Sequence, residues 1–275
     1  MNSKLDQGVA SGPAEVYEHR FVPALFAQWG PIMADCAAIG PGQRVLDVAC
    51  GTGVLAIAAE GRVGAGGEVV GLDASPEMLQ VARRKSSAVD WRKGVAEALP
   101  FPDQCFDAVV SQFGLMLFED PVAALREMWR VLRPGGRLAV AVCDDVERSP
   151  GYRQLALLLD DLFGAQVADA FRTPFRLGDA ALLHELCDQA GIVGSAIERR
   201  CGEVRFASVD ALVSTERACV WTLGGMLDDA QFARLREEAD AAFESFCAAD
   251  GRVRFEMPAL IITATAARAA DGAPD

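Results

Sequence analysis

Seven consecutive residues, Asp47-Val48-Ala49-Cys50-Gly51-Thr52-Gly53, join an apolar strand to an Ala-rich helix. Gly51 and Gly53 let the backbone approach a ligand that a Cβ would push away. The helix that follows presents free N–H groups in its first turn. Asp73 ends the next apolar segment, Glu68–Asp73, twenty residues beyond Gly53. A carboxylate at that point can accept two hydrogen bonds from a ribose diol. In a doubly wound sheet both elements face one crevice at the carboxyl ends of the strands. The chemistry this spacing predicts is recognition of a nucleoside. Asp47 stands inside the strand end, where it can hold a ligand's ammonium group directly or through water.

The glycine run by itself has two readings. Gly51-Thr52-Gly53-Val54-Leu55-Ala56 also fits the dinucleotide pattern G-x-G-x-x-A, so an NAD-linked oxidoreductase is the rival. Three features favour a cationic sulfur nucleoside instead. Asp47 would repel a pyrophosphate. Ser111-Gln112-Phe113-Gly114-Leu115-Met116-Leu117-Phe118 forms an apolar wall with two polar groups, which suits a dry transfer pocket. The chain also ends in a strand with no crossover helix after it, as an antiparallel hairpin at a sheet edge would.

These residues need a parallel sheet to position them, and the pattern supplies one. Residues 13–40 read as helical, with Val16, Phe21, Leu25, Phe26 and Trp29 on an apolar stripe. From 44 onward, strands and helices alternate. Val45–Ala49 is a near-continuous apolar strand, as burial on both faces requires. Gly53–Glu60 is a helix, and 68–73 is a second strand. Ser75 and Pro76 mark a helix start, and Arg83-Arg84-Lys85 its end. Short strands follow near 89–93 and over 106–113, then a helix over 120–132 that Pro134-Gly135-Gly136 stops, then a strand over 138–142. Later the pattern predicts helices over 152–173, 179–190 and 208–248 and strands near 195–206 and 253–265. This repetition implies a parallel sheet with right-handed crossovers. The long later helices suggest a lid over its carboxyl edge.

Bulk properties narrow the class. The chain has 275 residues, 51% hydrophobic, with a net charge of −13. So acidic a surface argues against nucleic acid and against anionic membranes as partners. The polar start and the lack of any apolar run of about 18–20 residues predict neither a secretory leader nor a membrane span. The expected location is the cytoplasm. Eight cysteines are scattered without a Cys-x-x-Cys pair, so reduced, mostly buried thiols are expected and no metal site.

The segments Leu46–Gly53 (LDVACGTG), Gly71-Leu72-Asp73, Glu97-Ala98-Leu99-Pro100-Phe101, Gln112–Met116 and Leu132–Leu138 (LRPGGRL) together resemble class I S-adenosylmethionine-dependent methyltransferases. The branch they are most similar to includes ubiquinone/menaquinone-type and many natural-product enzymes. The resemblance implies an α/β fold with a doubly wound, mostly parallel seven-stranded sheet, helical lid insertions and an antiparallel C-terminal edge strand. One domain is expected: a helical cap over 1–40, a cofactor-binding half over 41–145, remaining strands with the lid over 146–266, and a tail over 267–275. The cofactor implied is S-adenosyl-L-methionine and the partner a small, secondary-metabolite-like acceptor. The protein would act as a monomer or homodimer. By the same resemblance Asp47, Ala49, Gly51 and Gly53 border the methionine part of the cofactor. Asp73 takes the ribose hydroxyls, with Ala74 and Met78 packing on the adenine side. Ala96 offers its N–H to adenine, Ser111 and Gln112 face the methionine moiety and the acceptor, and Tyr17 closes over the cofactor carboxylate. The sequence departs from the pattern twice. Ala49 replaces a glycine common in the wider class, and Val95 stands where the branch carries an aspartate for the adenine amino group.

A methyl group on a cationic sulfur is already activated, so alignment and exclusion of water are the protein's main tasks. A general base is needed only for a poorly acidic acceptor. His19, two residues from Tyr17, and Asp144, after the fifth strand, are the candidates. A solvent-facing helix residue and a solvated loop acid are the competing readings. Phe113, Met116 and Trp221 are expected in the acceptor pocket, along with Phe163, Phe171 and Phe175 of the lid. Recruitment of such a fold for non-methylating chemistry, such as cyclisation, is the third reading.

Overall fold

A computed structural model describes residues 12–267. The tails at 1–11 and 268–275 lie outside the described residues. The apolar segments pair as β1 (Arg44–Val48), β2 (Glu68–Asp73), β3 (Asp90–Lys93), β4 (Phe106–Gln112), β5 (Leu132–Cys143), β6 (Ala196–Phe206) and β7 (Val253–Thr265), in the order β3-β2-β1-β4-β5-β7-β6. The first five run parallel, and β7 is antiparallel to both β5 and β6. Val45, Leu46 and Val48 of β1 and Ala108, Val109 and Val110 of β4 are all fully buried. Continuous apolar runs mark strands covered on both faces.

Among the described residues ten α-helices flank the sheet: α1 (Pro13–Val16), α2 (Trp29–Cys36), α3 (Val54–Val63), α4 (Pro76–Lys85), α5 (Pro121–Arg130), α6 (Pro150–Phe163), α7 (Ala165–Arg172), α8 (Ala180–Gln189), α9 (Val209–Ala218) and α10 (Asp229–Ala242). Their starts follow capping chemistry. Ser75 accepts from the Met78 N–H, Asp120 from Ala123, and Asp228 forms a reciprocal box with Gln231. Strand order reverses between β1 and β4, which opens a crevice above their carboxyl ends.

The structure departs from the sequence reading at five places, one of them the helix expected over 152–173, which Gly164 at φ +84° divides into α6 and α7. The stretch expected as one helix over 13–40 breaks into α1, a π-helical segment Tyr17–Phe26, and α2. Pro23 lies inside the π-helical segment and has no N–H to give the ladder. The strand expected from Leu138 begins at Leu132. Leu132 pairs with Phe106, the register then shifts, and Arg137 pairs with Ala108. The intervening Pro134-Gly135-Gly136 is thus absorbed in a bulge, where a missing donor is tolerated. The helix expected over 208–248 is interrupted between α9 and α10 by turns. Finally, the antiparallel C-terminal strand sits one place in from the edge, with β6 outermost. No helix among the described residues is long and apolar enough to cross a membrane.

Candidate functional site

One cavity of about 750 Å3 opens over the carboxyl ends of the parallel strands. Its two ends differ in chemistry. At one end lie Gly51, Asp73, Ala74, Ser75, Met78, Val95 and Ala96. At the other lie Cys143, Tyr152, Phe171, Phe175, Glu216 and Trp221. Between them Ala49, Gln112, Phe113, Gly114 and Met116 form a floor, and Tyr17, Phe21, Leu25 and Phe26 of the π-helical segment a roof. Tyr17 stacks on Phe26 at 5.3 Å and meets Trp221 edge-on at 6.0 Å, so the roof and the turn after α9 close on each other. Burial and the nearby Asp73 charge push the Tyr17 hydroxyl far above its ordinary pKa, so it stays protonated.

Asp73 organises the nucleoside end. Its Oδ2 accepts from the Gly51 N–H and its Oδ1 from the Ser75 N–H, both at 2.8 Å. Each oxygen keeps a free lone pair for a ligand hydroxyl. Burial raises the Asp73 pKa, and the two backbone N–H groups oppose that shift.

Beside this end the strands leave a group of buried polar atoms without partners: both carboxylate oxygens of Asp47, Thr52 Oγ1, Ser111 Oγ and Gln112 Oε1. Asp47, Thr52 and Ser111 are each at most 1% exposed. Orphaned buried acceptors are costly, which marks a place where a ligand is expected to complete the hydrogen bonding. Asp47, Thr52 and Ser111 do not line the cavity, but their neighbours Ala49, Gly51 and Gln112 do. Burial pushes the Asp47 carboxyl well above the usual carboxylate range. A cationic ammonium group is the chemistry that would reverse that shift.

Two residues of the floor are held in left-handed backbone, Ala49 at φ +57° and Phe113 at φ +57°. Non-glycine residues rarely sit there, and such strain collects at ligand sites. Ala49 is also where the sequence departs from the glycine of the wider class. Ala49→Gly is therefore expected to raise the melting temperature by roughly 1–3 °C, because relief of the left-handed strain outweighs glycine's entropy. Calorimetric melting of the two proteins checks this.

The cavity brings together Tyr17, Ala49, Gly51, Asp73, Ala74, Met78, Val95, Ala96, Gln112, Phe113, Met116 and Trp221, with Phe171 and Phe175 of the lid. Gly53 caps α3 in left-handed backbone just behind Gly51. Phe163 packs against the core instead. The two base candidates are not brought to the cavity. The His19 side chain is 73% exposed and faces Glu15 at 3.3 Å, because it projects from the outer side of the roof. Asp144 is buried outside the cavity, and its carboxylate is taken up by ion pairs with Arg199 and, at 3.8 Å, with Arg148.

Sequence reasoning missed Glu216. It lines the aromatic end of the cavity and is 1% exposed. It accepts from Thr222 Oγ1 at 3.0 Å, and the Tyr152 hydroxyl also reaches it. Burial pushes it up to about 7, against those two hydrogen bonds. A signal was present: Val209, Leu212, Val213 and Glu216 recur at i, i+3, i+4, i+7, which puts an acid on the apolar stripe of α9.

Parts of the chain are similar to known proteins. Residues 46–140 match the methyltransferase domain family. The chain is 47% identical over 114 residues to a demethylmenaquinone methyltransferase of Renibacterium salmoninarum, covering 42% of this chain and 47% of that one. It is 38% identical over 158 residues to a ubiquinone/menaquinone biosynthesis C-methyltransferase of Pectobacterium atrosepticum, covering 55% of this chain and 59% of that one. The chain thus spans about half the length of these curated relatives. Among solved structures it superposes on the YcgJ protein of Bacillus subtilis with a TM-score of 0.58 at 22% identity, covering 88% of this chain and 99% of that one. It also superposes on the [4+2]-cyclase SpnF with a TM-score of 0.56 at 23% identity, covering 89% and 82%. These two likenesses establish the fold.

Proposed function

We propose, from the premise that this chain carries a class I S-adenosylmethionine-dependent methyltransferase domain of the ubiquinone/menaquinone-type branch, that the protein transfers a methyl group to a small, largely apolar aromatic acceptor. The observation that carries the proposal is the two-ended cavity: an acid and a glycine loop at one end, an aromatic chamber at the other. The residues fit S-adenosylmethionine. Asp73 would take the ribose hydroxyls, Ala74 and Met78 would pack on the adenine, and the orphaned acceptors around Asp47 would receive the ammonium group. Bound there, the cofactor supplies a methyl group already activated by its cationic sulfur.

The chain's own residues then align and exclude. Phe113 and Met116 shape the floor, and the Tyr17–Phe26 roof keeps water from the reacting atoms. Alignment and dryness are what an activated methyl donor needs. The oxidoreductase reading is not favoured, since a pyrophosphate would lie beside the unpaired Asp47 carboxyl. Val95 is 49% exposed at the adenine end and offers no side-chain acceptor, so adenine recognition rests on packing and backbone groups.

The curated relatives are named for menaquinone and ubiquinone biosynthesis, and the family model that matches this chain does not reach the aromatic chamber. Tyr152, Phe171, Phe175, Glu216 and Trp221 all lie beyond the matched residues 46–140. Four aromatic rings around one buried acid support the reading of a largely apolar aromatic acceptor of secondary-metabolite type.

Titration calorimetry with S-adenosylhomocysteine and with NAD tests the cofactor. Uptake of the former alone is expected, and tight NAD binding without it would overturn the proposal. Mass spectrometry after incubation with S-adenosylmethionine and a panel of hydroxyarenes tests the transfer. A product one CH2 heavier is expected. An isomer of unchanged mass would point to cyclisation instead.

A further inference from the structure

Glu216 is a buried acid that no described cation partners. The groups facing its carboxyl are Tyr152 from α6, Cys143 from β5, and Cys219 and Thr222 from the turn after α9. None is basic, and the nearby Asp144 is spent on Arg199. Thr222 Oγ1 lies 3.0 Å from both the Glu216 carbonyl and its carboxylate, so one hydroxyl proton is shared between them. A carboxylate offers about four lone-pair positions, so Thr222 and Tyr152 leave room for a further donor. That room opens onto the aromatic chamber.

Resting on the methyltransferase reading above, we propose that Glu216 takes the proton from a hydroxyl on the methyl acceptor, and that the acceptor is a hydroxylated arene. Thr222 and Tyr152 are positioning residues that fix the carboxyl toward the chamber. The step balances as follows. The hydroxyl proton passes to a Glu216 carboxylate oxygen, and the O–H bonding pair stays on the acceptor. The oxygen, or a ring carbon conjugated with it, forms the bond to the methyl carbon. The methyl–sulfur bond breaks with its pair on sulfur, which leaves a neutral thioether. Where carbon is methylated, the ring carbon loses its own proton as the hydroxyl is restored. A Glu216 side chain that titrates at about 7 is matched to this role near neutral pH.

The test uses the whole protein and fluorescence titration with 2-naphthol, whose hydroxyl ionises like other phenols, above the range scanned. Between about pH 5.5 and pH 8.5 its affinity is expected to rise roughly tenfold, because a carboxylate accepts a hydrogen bond more strongly than a carboxylic acid. The midpoint is expected near 7. 2-Methylnaphthalene should show no such rise, and Glu216→Gln should abolish it for 2-naphthol. A Glu216 that served only to hold the lid would leave the rise in E216Q. If E216Q does not fold, Thr222→Val serves: loss of that donor should move the midpoint upward, and an unmoved midpoint overturns the proposal. A flat titration, failure to bind 2-naphthol, or tighter binding of 2-naphthylmethylammonium would also overturn it. S-adenosylhomocysteine calorimetry on the same sample separates the two claims. Loss of that uptake refutes the methyltransferase reading, whereas uptake with a flat naphthol titration refutes only the role of Glu216.

Discussion

Asp47→Asn is expected to make the ligand-free protein more stable and cofactor binding weaker. The carboxyl is 1% exposed, neither oxygen has a partner, and burial raises its pKa well above the usual range. A carboxyl whose folded pKa is raised stabilises the fold at pH values below its unfolded pKa of about 4, and that contribution is lost as pH climbs through the folded pKa. Asparagine does not titrate, so its advantage should be small in acid and grow toward neutral pH, by about 1.4 kcal/mol for each unit inside that window. A gain of about 1–3 kcal/mol at neutral pH corresponds to a rise of several degrees in melting temperature. Binding moves the other way. An ammonium group that loses a charged acceptor forfeits about 1.5–3 kcal/mol, or roughly ten- to a hundredfold in affinity for S-adenosylhomocysteine. Melting curves across pH, paired with calorimetry, read both effects. If the variant is less stable at every pH, or if it binds as well as the parent, Asp47 is not the ammonium acceptor.

The parallel half of the sheet was legible because its strands are buried on both faces. Val45–Val48, Val69–Leu72 and Ala108–Val110 are apolar without alternation, and only a strand covered on both sides tolerates that. Where one backbone donor was missing, the sequence misled. Pro134 reads as the end of a helix, and Pro23 is passed over inside a stretch that reads as one helix. In the fold, Pro134 sits in a bulge within β5 and Pro23 within a π-helical turn, because tertiary contacts of the flanking residues outweigh a single lost hydrogen bond. The place of β7 between β5 and β6 was not legible at all, since strand order depends on long-range pairing such as Val140 with Ile262.

At the site, the residues that sequence could place were those tied to a strand end. Asp73 and the Gly51–Gly53 turn are local features, and the N–H groups of Gly51 and Ser75 meet on the Asp73 carboxylate. The aromatic end is assembled from α6, α7, the turn after α9 and the carboxyl end of β5, which no local spacing relates. The base was therefore sought at His19 and Asp144, by proximity in sequence to Tyr17 and β5. The structure turns the first toward solvent and commits the second to Arg199. Glu216 gave its position away only as an acid on an apolar stripe, a signal that needs the helix register to be weighed together with side-chain chemistry.

Gly53→Ala should destabilise the protein by about 3 kcal/mol and abolish nucleoside binding. Gly53 has φ +90°, where an alanine is strained by about 1–2 kcal/mol. A Cβ built there would also lie 2.5 Å from Trp91 Cη2 and within 3.3 Å of two further ring atoms. Trp91 cannot give way. Its Nε1 donates to the Ser86 carbonyl at 2.9 Å, and its other edge covers Gly71, where a Cβ would also come within 2.5 Å of the ring. Overpacking of this kind costs about 1–3 kcal/mol, so the two terms together lower the melting temperature by roughly 6–12 °C. The chain's remaining freedom is to push the Gly51–Gly53 turn away from Trp91, and that turn carries the N–H bonded to Asp73. Gly51→Ala is the control. Its Cβ would meet nothing nearer than Tyr17 Cε1 at 3.8 Å, so it should cost only the backbone strain at φ +54°. If the clash with Trp91 is the cause, Gly53→Ala combined with Trp91→Leu must cost at least 1 kcal/mol less than the sum of the two single changes. Strict additivity would show that the damage comes from backbone strain alone.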